Sequence, residues 1–484
     1  MHDSTRYLTG LLALCVALTV YRIAVILMLG IDTYVDEAYY WGWSQALEWG
    51  YYSKPPMIAA MIAASDALFG PGLIALKLPS LLSYPLTALV LYRIGSHCFA
   101  PRVGFWAGAL FMTMPLVGAL GMFVSTDAPL LLLWACALYA LIRALETAAW
   151  RYWLAVGLCF GLGLMTKYTM AAFAGSAFLV LIFDPRGRRQ LASLKPWAAV
   201  ALGAMLFIPN ILWNIDNGFP TFRHTAEITR LDARAWAPNE LGEFIGAQWA
   251  SLGPVLGIAL IVVLARFRSL WQDATLRILL LMAVPLLLLV SAQAVTGRAN
   301  GNWAAPSFIA AVLFIPAALL ADNRTRLLRW AVGLNLVLVA LLYHWPQLHS
   351  LSGNAMSAKL DPYKRARGWS DLAASIEPYL KAHPDAALLS TERETLAQTI
   401  YYARPDRWYA WHPGDHIMDQ YELKVPLTTD IQGPFLLVID KENADHIIQR
   451  FETSSFLARV EVQVHPDMVR MRNIYLLDGF RGYQ

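Results

Sequence analysis

The sequence predicts a mainly α, polytopic membrane protein with a soluble α/β domain at its C-terminal end. Three observations carry this. Hydrophobic residues make up 57 % of the 484 and charged residues only 15 %, whereas an average soluble domain is about a quarter charged. Runs such as Leu8 to Leu29, Leu130 to Ile142 and Ile278 to Val290 are nearly free of charge, and a spanning helix needs roughly 20 mostly apolar residues. From about residue 346 charge rises, and Asp361-Pro362, His383-Pro384, Pro413-Gly414 and Gly433-Pro434 punctuate the chain as turns. The expected division is therefore 1–345 in the membrane and 346–484 outside it.

The apolar stretch after Arg6 is too long for a signal core and no small-residue cleavage pattern follows, so it reads as the first membrane helix. Apolar windows then place about eleven spans, near 7–30, 73–96, 103–121, 128–142, 152–166, 169–183, 197–213, 246–265, 278–296, 304–320 and 330–345. Residues 57–69 are apolar but short, which fits a helix lying at the interface. In the tail, Phe435 to Asp440, Arg459 to Val464 and Met468 to Leu477 read as strands. Trp369 to Leu380 and Asn443 to Phe451 read as amphipathic helices. Cys15, Cys98, Cys136 and Cys159 lie in or at the ends of apolar segments, a pattern of neither a disulfide framework nor a metal cluster. A net charge of +4 is too small to argue for nucleic acid.

The loops alternate in charge. Fifteen Lys and Arg fall in one set, including Arg6, Arg93, Arg102, Arg143, Arg151 and the group from Arg186 to Lys195. The other set holds seven: Lys54, Lys77, Lys167, Arg223, Arg230, Arg234 and Arg298. The positive-inside rule assigns the first set to the cytoplasm. The N-terminus is then inside, and the loops 31–72, 122–127, 214–245 and 297–303 are outside. With an odd number of spans the tail is outside too.

The first outer loop is the most informative stretch. It reads Tyr34-Val35-Asp36-Glu37-Ala38-Tyr39-Tyr40-Trp41, then Glu48-Trp49-Gly50-Tyr51-Tyr52-Ser53-Lys54-Pro55-Pro56. Adjacent carboxylates point different ways on a helix, so only one of Asp36 and Glu37 need face a site. The alternative is a solvated loop, or a helix N-terminus that favours negative charge. Rings such as Tyr39, Tyr40 and Tyr52 suit an aromatic belt at the headgroups, or a flat platform for the apolar faces of a sugar. Asp127 follows Ser125-Thr126 and opens an apolar helix with a proline in its first turn, so it is either part of a cap or a site residue. Lys54, Lys167 and Arg298 fall at outer ends of spans. Each is either a snorkelling cation or, with Asp36 and Asp127, part of one outward cavity of mixed charge, since ionisable groups at membrane depth are functional candidates. His224 in the long outer loop is an exposed histidine or a metal ligand.

These residues match something specific. Asp36-Glu37-Ala38-Tyr39-Tyr40-Trp41, Gly50-Tyr51-Tyr52-Ser53-Lys54-Pro55-Pro56 and Ser125-Thr126-Asp127-Ala128-Pro129 resemble the dolichyl-phosphate-mannose-protein mannosyltransferase-like superfamily of the GT-C fold. Its bacterial branch includes aminoarabinose transferases of lipid A and the lipid A and core galacturonosyltransferases. Weaker matches are Gly163 to Tyr168, Asn210 to Asn214, Asn302-Trp303-Ala304-Ala305-Pro306, and the tail segment Glu392 to Tyr402. The resemblance implies an inverting glycosyltransferase of the bacterial inner membrane with a periplasmic site. Its donor is a polyprenyl-phosphate-linked sugar and its acceptor a lipid or glycan of the envelope. Asp36 falls on the catalytic acidic position, with Glu37 beside it, and Asp127 on a second acidic position. Lys54 matches a lysine thought to meet the donor phosphate, with Lys167 and Arg298 as further phosphate ligands. Tyr39, Tyr40, Tyr52, His224, Asn302 and Trp303 are the substrate-binding candidates. In the aminoarabinose branch a glutamate precedes that lysine and helps bind a metal. Here the position is Ser53, which leaves open both a divalent metal ion as cofactor and aminoarabinose as the sugar.

The rival readings are a transporter or flippase of lipid-linked sugars and a ligase of surface glycans. A transporter predicts polar groups deep within several spans, whereas here they gather at outer ends. The chain also shows no internal repeat of the kind that many transporters use. A ligase shares the donor chemistry, and only the first-loop motif separates it.

Overall fold

The computed structural model of the protein describes residues 2–229, 238–440 and 444–483, so Arg230, Arg234 and Asn443 lie outside the described residues. The chain forms two compact units, residues 1–26 with 54–342, and residues 27–53 with 343–484. The division is not a single cut, because the first outer loop groups with the tail.

The first unit is a helical bundle. Among the described residues six helices are long and apolar enough to cross a membrane: Ser4–Leu29, Leu73–Cys98, Asp127–Thr147, Leu194–Asp216, Ala274–Thr296 and Thr325–Tyr343. Two bent pairs raise this to eight at most, Tyr168–Phe183 with Pro185–Leu191 and Pro238–Leu252 with Pro254–Leu264. The expected eleven spans are therefore not confirmed, and the differences have local causes. Pro115 has no N–H, and the 103–121 window splits into Pro101–Thr113 and Pro115–Leu120. Trp150–Leu164 and Ser307–Ala321 have 15 residues each, about 22 Å of helix against about 30 Å of hydrocarbon. Hydropathy records how apolar a segment is, not where its axis turns.

Close packing holds the bundle together. A Cβ on Gly157 would lie 2.5 Å from the Ala199 carbonyl oxygen, so Trp150–Leu164 and Leu194–Asp216 meet backbone to backbone, as small residues allow in membranes. Gly253 sits at φ +85° where a span bends by 109°, and a Cβ there would meet the Asn335 amide oxygen at 1.8 Å. The Asn335 amide in turn donates to the Leu252 carbonyl at 3.0 Å. Two cations are buried in the bundle: Arg22 donates to the Met112 carbonyl at 3.0 Å, and Lys77 lies over the Phe123 ring at 5.2 Å.

The second unit is built on a five-stranded sheet with the order β2-β1-β3-β5-β4. The strands are β1 Ala387–Ser390, β2 Trp408–Ala410, β3 Phe435–Ile439, β4 Phe451–His465 and β5 Met468–Phe480. β1 runs parallel to β2 and β3, with the helix Arg393–Ala403 as the crossover from β1 to β2, and β5 pairs antiparallel with β3 and β4. Residues 387–389 of β1 and all of β3 are apolar and feed a core with Trp411, Phe451 and Leu477. The helix expected over 443–451 is instead a single turn, Asp445–Ile448, because β4 already starts at Phe451.

Candidate active site

In the bundle, three helix ends converge on one carboxylate. Asp127 opens the helix Asp127–Thr147, where no side chain of Thr126 caps it. Its side chain is 5 % exposed. Oδ1 accepts from Lys167 Nζ at 2.8 Å and Oδ2 from the Asn302 amide at 2.7 Å. Lys167 sits in the turn between Trp150–Leu164 and the short 3₁₀ segment Tyr168–Met170, and Asn302 in the 3₁₀ segment Gly301–Ala304. Both lone-pair faces of the carboxylate are thus used, and Lys167 keeps two of its three N–H donors for other partners. Burial with a charged partner and an amide holds all three groups in one geometry.

The same turn anchors the Lys-Pro-Pro segment. The Met57 amide donates to the Met165 carbonyl at 2.9 Å, so Lys54 is three residues from a junction that lies two residues from Lys167. Lys54 itself is partly exposed. Behind Lys167, the Tyr168 hydroxyl donates to Asn210 Oδ1 at 2.8 Å and accepts from the Asn214 amide at 3.3 Å, while its ring stacks on Phe222 at 5.0 Å. Asn210 and Asn214 are wholly buried, one turn apart on Leu194–Asp216. Trp303 is partly buried against the apolar core of the bundle. Arg298 is exposed, with its guanidinium donating to Asn300 Oδ1 at 3.3 Å, and His224 is partly exposed on the helix Pro220–Thr229. Among the described residues no three His, Cys, Asp or Glu side chains converge as a metal site would require.

In the second unit, the loop carboxylates separate as expected for neighbours on a helix. Val35–Ser44 begins with a capping box in which the buried Glu37 accepts from the Tyr34 backbone N–H at 2.8 Å. Asp36, whose side chain is 40 % exposed, accepts from Arg393 Nη1 at 3.1 Å. The Arg393 guanidinium lies over the Tyr39 ring at 4.9 Å. Burial opposes the charge on Arg393, yet Asp36 and the neighbouring phenols raise its pKa above the usual arginine value. Tyr39, Tyr40 and Tyr52 are all buried. Tyr39 packs against Trp43 and Tyr421 and accepts from the Gln420 amide, and burial and then Asp419 keep its phenol protonated well above the usual range. Tyr52 donates its backbone N–H to Gln420 Oε1 at 2.7 Å. These rings build the packing of this unit and do not stand open as a platform.

Arg393 is the residue that motif reading singled out least. The run Glu392-Arg393-Glu394 marked the place, but nothing in its spacing ties Arg393 to a carboxylate 357 positions earlier. The same holds for Arg365, which donates to the Tyr34 hydroxyl at 3.2 Å, and for Arg404, which lies over Trp41 at 5.0 Å.

Comparison with known proteins bears on the family and the fold. Residues 53–213 match the family model for dolichyl-phosphate-mannose-protein mannosyltransferase. The chain is 30 % identical over 453 residues to the lipid A galacturonosyltransferase RgtD of Rhizobium johnstonii, covering 89 % of this chain and 91 % of that one. It is 29 % identical over 157 residues, 31 % of this chain and 29 % of the other, to an undecaprenyl phosphate-alpha-4-amino-4-deoxy-L-arabinose arabinosyl transferase of Pseudomonas savastanoi. Among solved structures it resembles ArnT from Cupriavidus metallidurans, with a TM-score of 0.62 at 16 % identity over 97 % of this chain and 98 % of that one. Bundle, sheet domain and relatives together define a multi-pass membrane glycosyltransferase of the GT-C fold. Within that class the chain belongs to the bacterial branch of the dolichyl-phosphate-mannose-protein mannosyltransferase-like family.

Proposed function

We propose that the protein transfers galacturonic acid from a polyprenyl-phosphate donor to lipid A or the lipopolysaccharide core, with inversion, at the periplasmic face of the inner membrane. The sugar and lipid A as acceptor are carried over from the name of the 30 % identical relative, and the core as acceptor from a core galacturonosyltransferase 28 % identical over 184 residues. Ser53, standing where the aminoarabinose branch has a glutamate, agrees with a different sugar. ArnT from Cupriavidus metallidurans has been solved bound to undecaprenyl phosphate, which supports a donor of that class. The charge bias of the loops supports the orientation.

The observation that carries the reading is the buried Asp127–Lys167–Asn302 cluster, with the Lys54 segment tied to the same turn. A cation fixed in this way needs no reorganisation when charge appears beside it, which is what stabilises a departing phosphate. In the proposed reaction an acceptor oxygen attacks the anomeric carbon from the face opposite the phosphate. The bond from that carbon to the phosphate oxygen breaks, and polyprenyl phosphate leaves with the electron pair. Lys167 and Lys54, with Arg298 nearer the surface, neutralise it. Asp127 is a positioning residue for Lys167. Asp36 takes the proton of an acceptor hydroxyl, or orients the acceptor where its nucleophile is an already ionised phosphate. Arg393 fixes the rotamer of Asp36.

Asp36→Asn in membranes supplied with polyprenyl-phosphate galacturonic acid and lipid A should express normally and lower product formation by at least about 10²-fold, followed by mass spectrometry of the lipid. Wild-type activity in this variant removes Asp36 from the reaction.

A further inference from the structure

The bundle contains a crevice that the chemistry above does not use. It opens between the last third of Asp127–Thr147, residues 153–160 of Trp150–Leu164, the helix Ala171–Phe183 and the start of Leu194–Asp216, and measures about 580 Å³ with its mouth. Its deepest wall on Trp150–Leu164 is Phe160, ten residues into that helix, so it reaches in by about 15 Å. Leu141 in its wall lies fourteen residues beyond Asp127 on one helix, about 20 Å from the cluster at the other end. The crevice and the candidate active site are therefore separate places.

Two features say what fits it. The walls are apolar, formed by residues such as Leu141, Phe160, Ala174 and Phe178. The mouth is basic. The chain bends by 106° after Phe183, and the short helix Pro185–Leu191 puts Leu191 in the wall while exposing Arg188 and Arg189. Arg151, at the start of the neighbouring helix, lies on the face away from the lining residues Trp153, Val156, Gly157 and Phe160, with its guanidinium over Tyr152 at 4.9 Å, and is not part of this rim. The acids beside this end are already paired: Asp184, buried, holds Arg186 at 3.0 Å and Arg277 at 3.2 Å, and Glu146 holds His97 at 2.7 Å and Arg143 at 3.3 Å.

We propose that this crevice binds one acyl chain of an anionic glycerophospholipid, with the phosphate at Arg188 and Arg189. Within a bilayer an apolar wall gives a lipid chain no preference over neighbouring lipid, so selectivity rests on packing and on the headgroup charge. By the charge bias of the loops this end faces the cytoplasm, whose leaflet supplies anionic lipid. The far end of an isoprenoid tail would also be apolar, but it would leave the basic rim unanswered.

The test uses the full-length protein in detergent and native mass spectrometry, titrating dioleoylphosphatidylglycerol against dioleoylphosphatidylcholine. Wild type should retain one phosphatidylglycerol at roughly tenfold lower lipid concentration than phosphatidylcholine, as two surface cations near an anionic headgroup allow. The exposed pair Arg188→Gln/Arg189→Gln should bring the two lipids within about threefold of each other. Glycerol 3-phosphate in excess should not displace the lipid, and Ala174→Phe, which fills the crevice, should lower retention of both lipids. Equal retention of the two lipids by wild type overturns the proposal, as does displacement by glycerol 3-phosphate. An unchanged preference in the double arginine variant, whose residues are exposed and do not threaten the fold, does so too.

Discussion

A carboxylate that accepts from an ammonium on one oxygen and an amide on the other has few degrees of freedom left, and Asp127 is in that position. Its value to the molecule lies in what it does to Lys167. The lysine side chain is 15 % exposed, so without its partner it would sit as a poorly solvated cation, free to swing. Removing one member of a buried pair commonly costs about 3–5 kcal/mol, and much of that is the orphaned charge. Asp127→Asn should therefore lower kcat/KM for the lipid donor by about 10–10²-fold and destabilise the detergent-solubilised protein. Lys167→Met should do the same, and the double variant should be little worse than either single one, because the two act as a unit. Full additivity in steady-state kinetics with purified donor would show that the two residues act independently.

At the scale of single elements, the helix Val35–Ser44 makes the sharpest case. Its two acidic residues differ in surroundings: Glu37 closes the N-terminus as a cap and Asp36 meets Arg393. A glutamine reaches the same backbone N–H, as the capping-box pattern allows. Glu37→Gln should thus keep both stability and transfer within about threefold of wild type, while Glu37→Ala should lose about 1 kcal/mol of stability and activity with it. Thermal unfolding and transfer assays on both variants decide this, and a dead but stable Glu37→Gln would make Glu37 a reacting group. The sequence already showed that these carboxylates diverge, since the helical repeat alone separates neighbours. It also carried the apolar helices, the tail strands β3 and β5, and the helix-end charges Asp127 and Lys167 that prove to touch. It did not reveal β1 and β2, which are four and three residues long and depend on pairing across the sheet for their existence. Nor did it reveal the breaks at Met114-Pro115 and Gly253-Pro254, where direction changes without any loss of apolarity. The aromatic loop was legible as rings with a purpose, but burial behind Gln420 and Tyr421 is a contact across more than 360 positions.

At the scale of the whole molecule, the grouping of residues 27–53 with 343–484 has a consequence that a linear view of the chain misses. All the charged candidates except Arg393 precede residue 343, so the tail looks dispensable for chemistry. The loop, however, depends on it. Asp32 accepts from the Trp369 amide at 2.7 Å, the Thr33 hydroxyl donates to Gln398 Oε1 at 2.8 Å, and Trp41 packs edge-on against Tyr401 at 5.1 Å. Glu48 pairs with Lys424 at 2.7 Å. A chain stopped after Leu342 loses every one of these partners at once and exposes Tyr39, Trp41 and Trp43, which are now buried. Segments with few remaining contacts open at little cost in free energy. The truncated protein should still insert into the membrane, since all but the last residue of its long apolar helices remain. Its loop 31–53 should be cut by added protease roughly tenfold faster or more, and its transfer activity should fall below detection although Asp36, Asp127, Lys54 and Lys167 are all still present. Protease mapping of membranes with and without the tail, beside an activity assay, measures both effects. An active truncated chain with a protected loop would show that residues 27–53 hold their shape without the domain they pack in.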